Sequence, residues 1–195
     1  MHNLNNLLSA EISEKLRKKN LEISLTLSAK DCDGRWPRCQ VLINDKIIFD
    51  DEIKKTADIV YKNNFDYDDN HVNFVINRYG KTDSDTKIDT NGNIIDNQMM
   101  EITKLMLNGI DIIKNNLIYQ AKFVMDLSDN QLKYFKNNNI PSENHDYHFY
   151  ENGQWTLQIG LPVLTYIINI TKTTETFEQI PYSDVMNEII EKLEI

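Results

Sequence analysis

Hydrophobic and polar residues alternate with a period of two over much of this chain, in short runs. In residues 22–28, Ile23, Leu25 and Leu27 fall on one face and Glu22, Ser24, Thr26 and Ser28 on the other. That is the pattern of a strand with one buried face. Val72, Phe74 and Ile76 alternate with Asn73, Val75 and Asn77 in the same way. Tyr119, Ala121, Phe123 and Met125 repeat the pattern within 115–126, and Trp155, Leu157 and Ile159 line one face of a further run. Turn signals separate the runs. Residues 40–49 read as a hairpin about Asn44-Asp45, with Ile43 opposite Lys46 and Val41 opposite Ile48. Asn91-Gly92, Asn108-Gly109 and Asn152-Gly153 each suit a two-residue hairpin turn, because Asn and Gly tolerate the positive φ that a type I′ turn demands. The first predicts Lys87 opposite Asp96, Ile88 opposite Ile95 and Asp89 opposite Ile94. The second predicts Leu107 opposite Ile110, and the third Tyr150 opposite Trp155.

Helical spacing appears mainly at the ends. Leu7, Leu8, Ile12 and Leu16 give residues 5–20 an apolar stripe. Val185, Met186, Ile189, Ile190 and Leu193 do the same for the C-terminus, with Ser183 placed as an N-cap. Residues 129–136 suit one or two helical turns. Residues 162–172 suit either a strand or a helix with Pro162 in its first turn. Residues 50–58 are charged and carry no clear period, and 65–70 form an acidic turn. Many short strands joined by hairpin turns, with no strand–helix–strand rhythm, predict a mainly β fold, an antiparallel β-sandwich. The expected organisation is an N-terminal helical arm over 1–20, the sandwich over 21–172, and a C-terminal tail and helix over 173–195.

Composition narrows the function. The chain has 195 residues, 41% of them hydrophobic, and a formal charge of −9. Such an acidic chain does not offer the clustered Lys and Arg that a phosphate backbone or an anionic membrane surface requires. No apolar run approaches the roughly 18 residues of a membrane span, and the N-terminus lacks the apolar core of a secretory signal. No nucleic-acid or membrane partner is expected. Cys32 and Cys39 flank Trp36-Pro37 and read either as a small staple across a loop or as two buried thiols. No Gly-rich phosphate cradle, nucleophile elbow or Cys–His set stands out. His145-Asp146-Tyr147-His148 reads either as a metal pair or as a solvated loop. The expectation is a protein that is not an enzyme.

Residues 77–112 hold the densest set of oxygen ligands. Lys81-Thr82-Asp83-Ser84-Asp85-Thr86 is followed by Asp89-Thr90-Asn91-Gly92-Asn93-Ile94-Ile95-Asp96 and then by Leu107-Asn108-Gly109-Ile110. With residues 23–49, this order resembles the jelly-roll domain of calcium-dependent, xylan-binding-type carbohydrate-binding modules. It resembles most the variant found in virion proteins of tailed phages. Asn152-Gly153-Gln154-Trp155-Thr156-Leu157 and Pro162 are similar to the segment after that domain in such proteins. The resemblance implies a jelly-roll sandwich, to which the periodicity of the two ends adds short terminal amphipathic helices. It implies calcium as the cofactor, on Asp83, Asp85, Asp89 and Asp96, since calcium takes six to eight hard oxygens. It implies ligand contacts at Trp36, Tyr79, Lys81 and Thr86, with Trp155 a further aromatic candidate for stacking on a sugar, the alternative for each aromatic being packing in the core or on a strand face. The structural alternative is that these aspartates cap turns, as Asp and Asn do in loops. The spacing is not that of an EF-hand.

Two functions are therefore expected. One is a non-enzymatic structural or interaction protein of a tailed-phage virion, with other virion proteins or its own copies as partners through the terminal arms. The other is a calcium-dependent module that binds a host-surface glycan. The corresponding locations are the virion or, failing that, the cytoplasm.

Overall fold

Most of the alternating runs become strands; of the run over 115–126 only Lys122–Met125 does, since Ile118–Gln120, with Tyr119, form a 3-10 turn. In a computed structural model, which describes residues 13–14, 16–66, 68–178 and 187–191, β1 (Asn20–Lys30) buries Leu21, Ile23, Leu25 and Leu27 and turns its polar residues outward. β2 (Arg38–Ile43), β3 (Lys46–Glu52), β4 (Thr56–Asn64) and β5 (His71–Tyr79) follow. Then come β6 (Thr86–Ile88), β7 (Ile94–Asn97), β8 (Met99–Leu107) and β9 (Ile110–Asp111). β10 (Lys122–Met125), β11 (Glu143–Asn144), β12 (His148–Phe149) and β13 (Gly153–Gly160) complete the set. Helices α1 (Asp129–Asn137) and α2 (Val163–Glu178) lie among and after the strands, and described residues 13–14, 16–17 and 187–191 are also helical. Leu7, Leu8 and Ile12 of the expected first helix, and Ser183, Val185, Met186 and Leu193 of the last, lie outside the described residues.

The fold is the expected antiparallel jelly-roll β-sandwich. One sheet runs β12-β8-β1-β4, with β9 on β8; the other runs β11-β10-β13-β5-β2-β3; β6 and β7 form a separate ribbon. The chain passes back and forth between the sheets, so each strand places its apolar face against the other layer. Val72, Phe74, Ile76, Trp155, Leu157 and Ile159 meet Ile23, Leu25, Leu27, Leu105 and Leu107. Phe74 and Trp155 pack edge to face at 5.8 Å. Each such side chain contributes roughly 1.5–3 kcal/mol of burial.

Register places every loop at one of two ends. Asn20 faces Asn64, and His71 faces Gly160, at the end where the terminal segments dock. There the Thr165 hydroxyl donates to the Leu16 carbonyl at 3.0 Å, Asn115 Nδ2 donates to Glu188 Oε2 at 2.8 Å, and Ile189 is buried in the core. Lys30 faces Met99, and Arg38 faces Tyr79, at the other end. Strands such as β5 hold the ends about 30 Å apart.

The turn signals divide. Asn44 and Asp45 (φ 46° and 65°) and Asn108 and Gly109 (φ 49° and 81°) make the two-residue turns expected, with Ile43 opposite Lys46 and Leu107 opposite Ile110. A bulge after Val41 sets that residue against Phe49 rather than Ile48. Asn91-Gly92 departs from expectation. Asp89 closes a wider loop by accepting from the Asn91 and Asn93 amides at 2.8 and 2.9 Å. Lys87 still faces Asp96, but a bulge moves Ile88 opposite Ile94 instead of Ile95. Asn152-Gly153 makes no hairpin: β12 and β13 belong to different sheets, and Trp155 faces Ile76 and Phe123, not Tyr150. Gly153 is required for a different reason, since a Cβ there would lie 2.4 Å from the Val124 carbonyl oxygen. Residues 163–172 are helical, with Pro162 just before the helix rather than in its first turn, because Val163, Ile167, Ile170 and Thr171 fall on one buried face of α2. Cys32 and Cys39 are two buried free thiols.

Candidate functional site

An open cleft of about 650 Å³ lies at the end away from the terminal segments. One wall is residues 81–88, contributing Lys81, Thr82, Asp83, Thr86 and Ile88. The other is the entry to α1 and the turn before β13, contributing Asp126, Ser128, Gln131, Glu151 and Asn152.

The first wall is built on a short 3-10 turn, Asp83–Asp85, capped by Thr82. Asp85 faces inward and is 3% exposed. It accepts from the Thr82 amide at 2.8 Å, the Thr82 hydroxyl at 2.9 Å and Arg35 Nε at 2.5 Å. Burial pushes its pKa up, but the bonds from Arg35 and Thr82 outweigh it and hold the carboxyl below the usual range. Thr86 donates to Asn97 Oδ1 at 2.8 Å, which fixes the start of the β6–β7 ribbon.

The second wall owes its shape to a capping box. Ser128 Oγ caps α1, and Gln131 Oε1 accepts from the Ser128 amide at 2.9 Å. Lys81 ties the walls together. Its amide donates to Asn152 Oδ1 and its carbonyl accepts from Asn152 Nδ2, both at 2.9 Å. Its ammonium reaches the Tyr150 carbonyl at 2.6 Å and Glu151 Oε1 at 3.1 Å. Burial lowers the Lys81 pKa, and Glu151 works against that shift. The lining therefore carries one bonded ammonium against three carboxylates, those of Asp83, Asp126 and Glu151. Ile88, 63% exposed, adds an apolar surface at the mouth.

Of the residues singled out in the sequence, Lys81, Asp83 and Thr86 meet in this cleft. Tyr79 lies apart, bonded through its hydroxyl to Asp50 and stacked on Arg38 at 5.6 Å. Trp36 is half-buried and does not line the cleft. Sequence reasoning misses Asp126, Ser128, Gln131, Glu151 and Asn152 as lining residues. Ser128-x-x-Gln131 is a legible helix start, but nothing in the sequence says that it faces residues 81–88.

Asp83, Asp85, Asp89 and Asp96 do not converge on one ion. Asp85 is held by Arg35 and Thr82. Asp89 is held by the Asn93 side chain and the amides of its own turn, which lower its pKa. Asp96 is held by Lys30 at 2.6 Å, which lowers its pKa as well. Among the described residues, no group of three or more His, Cys, Asp or Glu side chains is placed to hold a metal. The aspartates present do not fit a single shared calcium. The two loop histidines also have separate partners. His145 Nδ1 lies 2.7 Å from the Ala121 carbonyl, while His148 bridges Asp146 at 2.7 Å and Glu101 at 3.2 Å.

A scan against protein-family models finds no match, and neither does a search of curated proteins. Among solved structures, vCBM60 in complex with galactobiose is similar over 69% of this chain and 95% of its own, at 7% identity and a TM-score of 0.39. A selenomethionine form of vCBM60, described in connection with two families of calcium-dependent carbohydrate-binding modules, matches over 70% and 88%, at 9% identity and a TM-score of 0.36. At these values the likeness bears on neither ligand nor metal.

Proposed function

We propose that this chain is a non-catalytic binding module that takes a polyhydroxylated ligand, such as a sugar, in the cleft between residues 81–88 and the start of α1. The lining of that cleft carries the reading. Its carboxylates and side-chain amides offer acceptors and donors for hydroxyl groups, and Ile88 offers an apolar plate for the face of a ring. The residues with fixed geometry, Lys81, Glu151, Asn152 and Gln131, are already bonded to one another. Glu151, Asn152 and Gln131 present their remaining lone pairs and amide hydrogens to a ligand, Lys81 can only donate, and the set does not form a poised acid or base. The galactobiose complex of vCBM60 shows that protein holding a disaccharide; here the support is the cleft. The test is a glycan array with the intact chain, with calcium and with chelator, alongside Asp126→Asn and Ile88→Ser. Loss of a specific signal in both variants is expected. An array silent under every condition overturns the proposal.

As the wider setting we propose a structural component of a tailed-phage virion, with its partners held at the end where the terminal segments dock. Leu16, Thr165 and Glu188 lie at the end opposite the cleft. Partners held there, whether other virion proteins or second copies, leave the cleft free. Light scattering of the full chain and of a form lacking residues 1–12 tests this, and the truncation spares Leu16. A defined assembly that falls apart on truncation is expected. The same monomeric mass for both forms overturns self-association.

A further inference from the structure

Three ion pairs cross one gap at the cleft end. Lys30, the last residue of β1, bonds Asp96 of β7 at 2.6 Å. Arg35 bonds Asp85 at 2.5 Å and also donates to the Ser84 carbonyl. Lys87 of β6 reaches back to Asp33. Each pair joins the 30–35 segment to the 84–96 segment. Gln98 adds an uncharged link across the same gap, its Nε2 donating to the Arg35 carbonyl at 3.1 Å, while its amide ties it to the Asp85 carbonyl on its own side at 2.9 Å. The Arg35 pair differs from the other two. The Asp85 side chain is 4% exposed, whereas Asp96 and Asp33 are 28% and 50% exposed.

An acidic loop end needs counter-charge. A divalent ion supplies it by gathering oxygens from several loops. A guanidinium supplies it through a rigid fork that bonds a carboxylate and a carbonyl together. Arg35 makes that contact with Asp85 and Ser84, and a calcium ion would have to displace it and strip Asp85 of its bonds from Thr82. We propose that Arg35, assisted by Lys30 and Lys87, takes the place of a metal ion as the counter-charge at this end. On this reading Arg35 is the positioning residue that holds the 82–88 wall of the cleft. Arg35 plays this part whatever ligand the cleft takes, so a silent glycan array leaves it untouched.

The experiment uses the full chain. Calcium is titrated into chelator-treated protein by calorimetry and by thermal melting, and amide hydrogen exchange is compared between the native chain and Arg35→Gln. No heat of calcium binding and no calcium-dependent rise in melting temperature are expected. In Arg35→Gln, the amides of Thr82 and Gln98, both bonded to Asp85, exchange about tenfold faster, the scale set by losing one charge-assisted bond. Exchange in β5 and β13 stays as it was. A calcium-induced rise in melting temperature overturns the proposal, as does unchanged exchange over residues 82–98 in Arg35→Gln. Should Arg35→Gln fail to fold, Lys30→Gln and Lys87→Gln remove more exposed members of the same set and are read in the same segment. The calcium titration needs no variant.

Discussion

Ion pairs hold most loops at the cleft end of the sandwich, whereas side-chain–backbone hydrogen bonds dominate at the terminal end, where the exposed Lys62–Glu22 pair at 2.9 Å is an exception. At the terminal end, Asn108 accepts from the Glu22 amide at 2.7 Å and donates to the Asn20 carbonyl at 3.1 Å, locking the β8–β9 turn onto β1. Asn44 accepts from the Asn73 amide at 2.9 Å in a similar way. Those contacts are uncharged, and the turn formed by Asn108 sits over buried Leu107 and Ile110. At the cleft end, the corresponding loops are held by Lys30–Asp96, Arg35–Asp85, Lys87–Asp33 and Lys81–Glu151. Backbone geometry and packing respond little to salt or pH, whereas exposed ion pairs respond to both. The contrast predicts one stiff end and one end that loosens under mild conditions, and the soft end is the one that carries the cleft.

The largest effect expected is at the stiff end. Ile110→Ala opens a cavity beneath the Asn108-Gly109 turn and costs about 2–5 kcal/mol in denaturant unfolding. Ile88→Ala, exposed at the other end, leaves the unfolding midpoint where it was. Equal losses from the two substitutions would erase the contrast. Next comes Asn108→Ala. It removes two hydrogen bonds and puts alanine, which tolerates left-handed backbone less well than asparagine, at a φ of 49°, at a cost of about 2 kcal/mol. A cost near zero would mean that the turn is held by packing alone.

A smaller, local effect comes from acid. Asp85, Asp89 and Asp96 are all held below the usual carboxylate range. A carboxyl whose folded pKa is depressed contributes stability above its unfolded value, near 3.9, and that contribution is lost as pH falls from there toward the folded pKa. Hydrogen exchange over residues 82–98 is therefore expected to quicken below about pH 4, while amides around Asn108 keep their protection. Both ends opening together would show that the ion pairs contribute nothing local.

The range of each interaction decides whether the sequence makes it legible. The strands are plain wherever one face is buried, as in 22–28 and 72–77, because a period of two is a local signal. β4 is not, because Val60 is exposed and Tyr61 only half-buried, so its alternation is blurred. The Asn108-Gly109 turn is readable from two residues. Asn91-Gly92 misleads because Asp89, two positions earlier, supplies a side-chain acceptor that competes with the tight turn. In the cleft, Lys81, Asp83 and Thr86 stand out as a polar run. Glu151 and Asn152 do not, since their pairing with Lys81 spans about 70 positions. Of the aspartates expected to share an ion, Asp85, Asp96 and Asp89 are instead held by Arg35, by Lys30 and by its own turn, and no local spacing reveals which cation folds back onto which carboxylate.

The finest probe of the contrast is chemical. Both cysteines are buried, and burial raises both thiol pKa values, that of Cys39 to about 12. Raised thiol pKa values keep the reactive thiolate scarce at pH 8, so neither residue is expected to react with iodoacetamide in the native chain. Their routes to exposure differ. Cys39 lies within β2, between β3 and β5, and its backbone is released only when that sheet opens. Cys32 lies in the loop spanned by the Lys30, Arg35 and Lys87 pairs, outside the two sheets, its backbone bridged to Arg35 and its thiol beside Asp96. High salt screens the exposed Lys30 and Lys87 pairs, screens the more buried Arg35–Asp85 pair less, and leaves the sheet intact. Cys32 should therefore be alkylated first and faster as salt rises, with Cys39 reacting only at the rate of global unfolding. Alkylation of both at one common rate, whatever the salt, would mean that the cleft end opens only together with the whole sandwich.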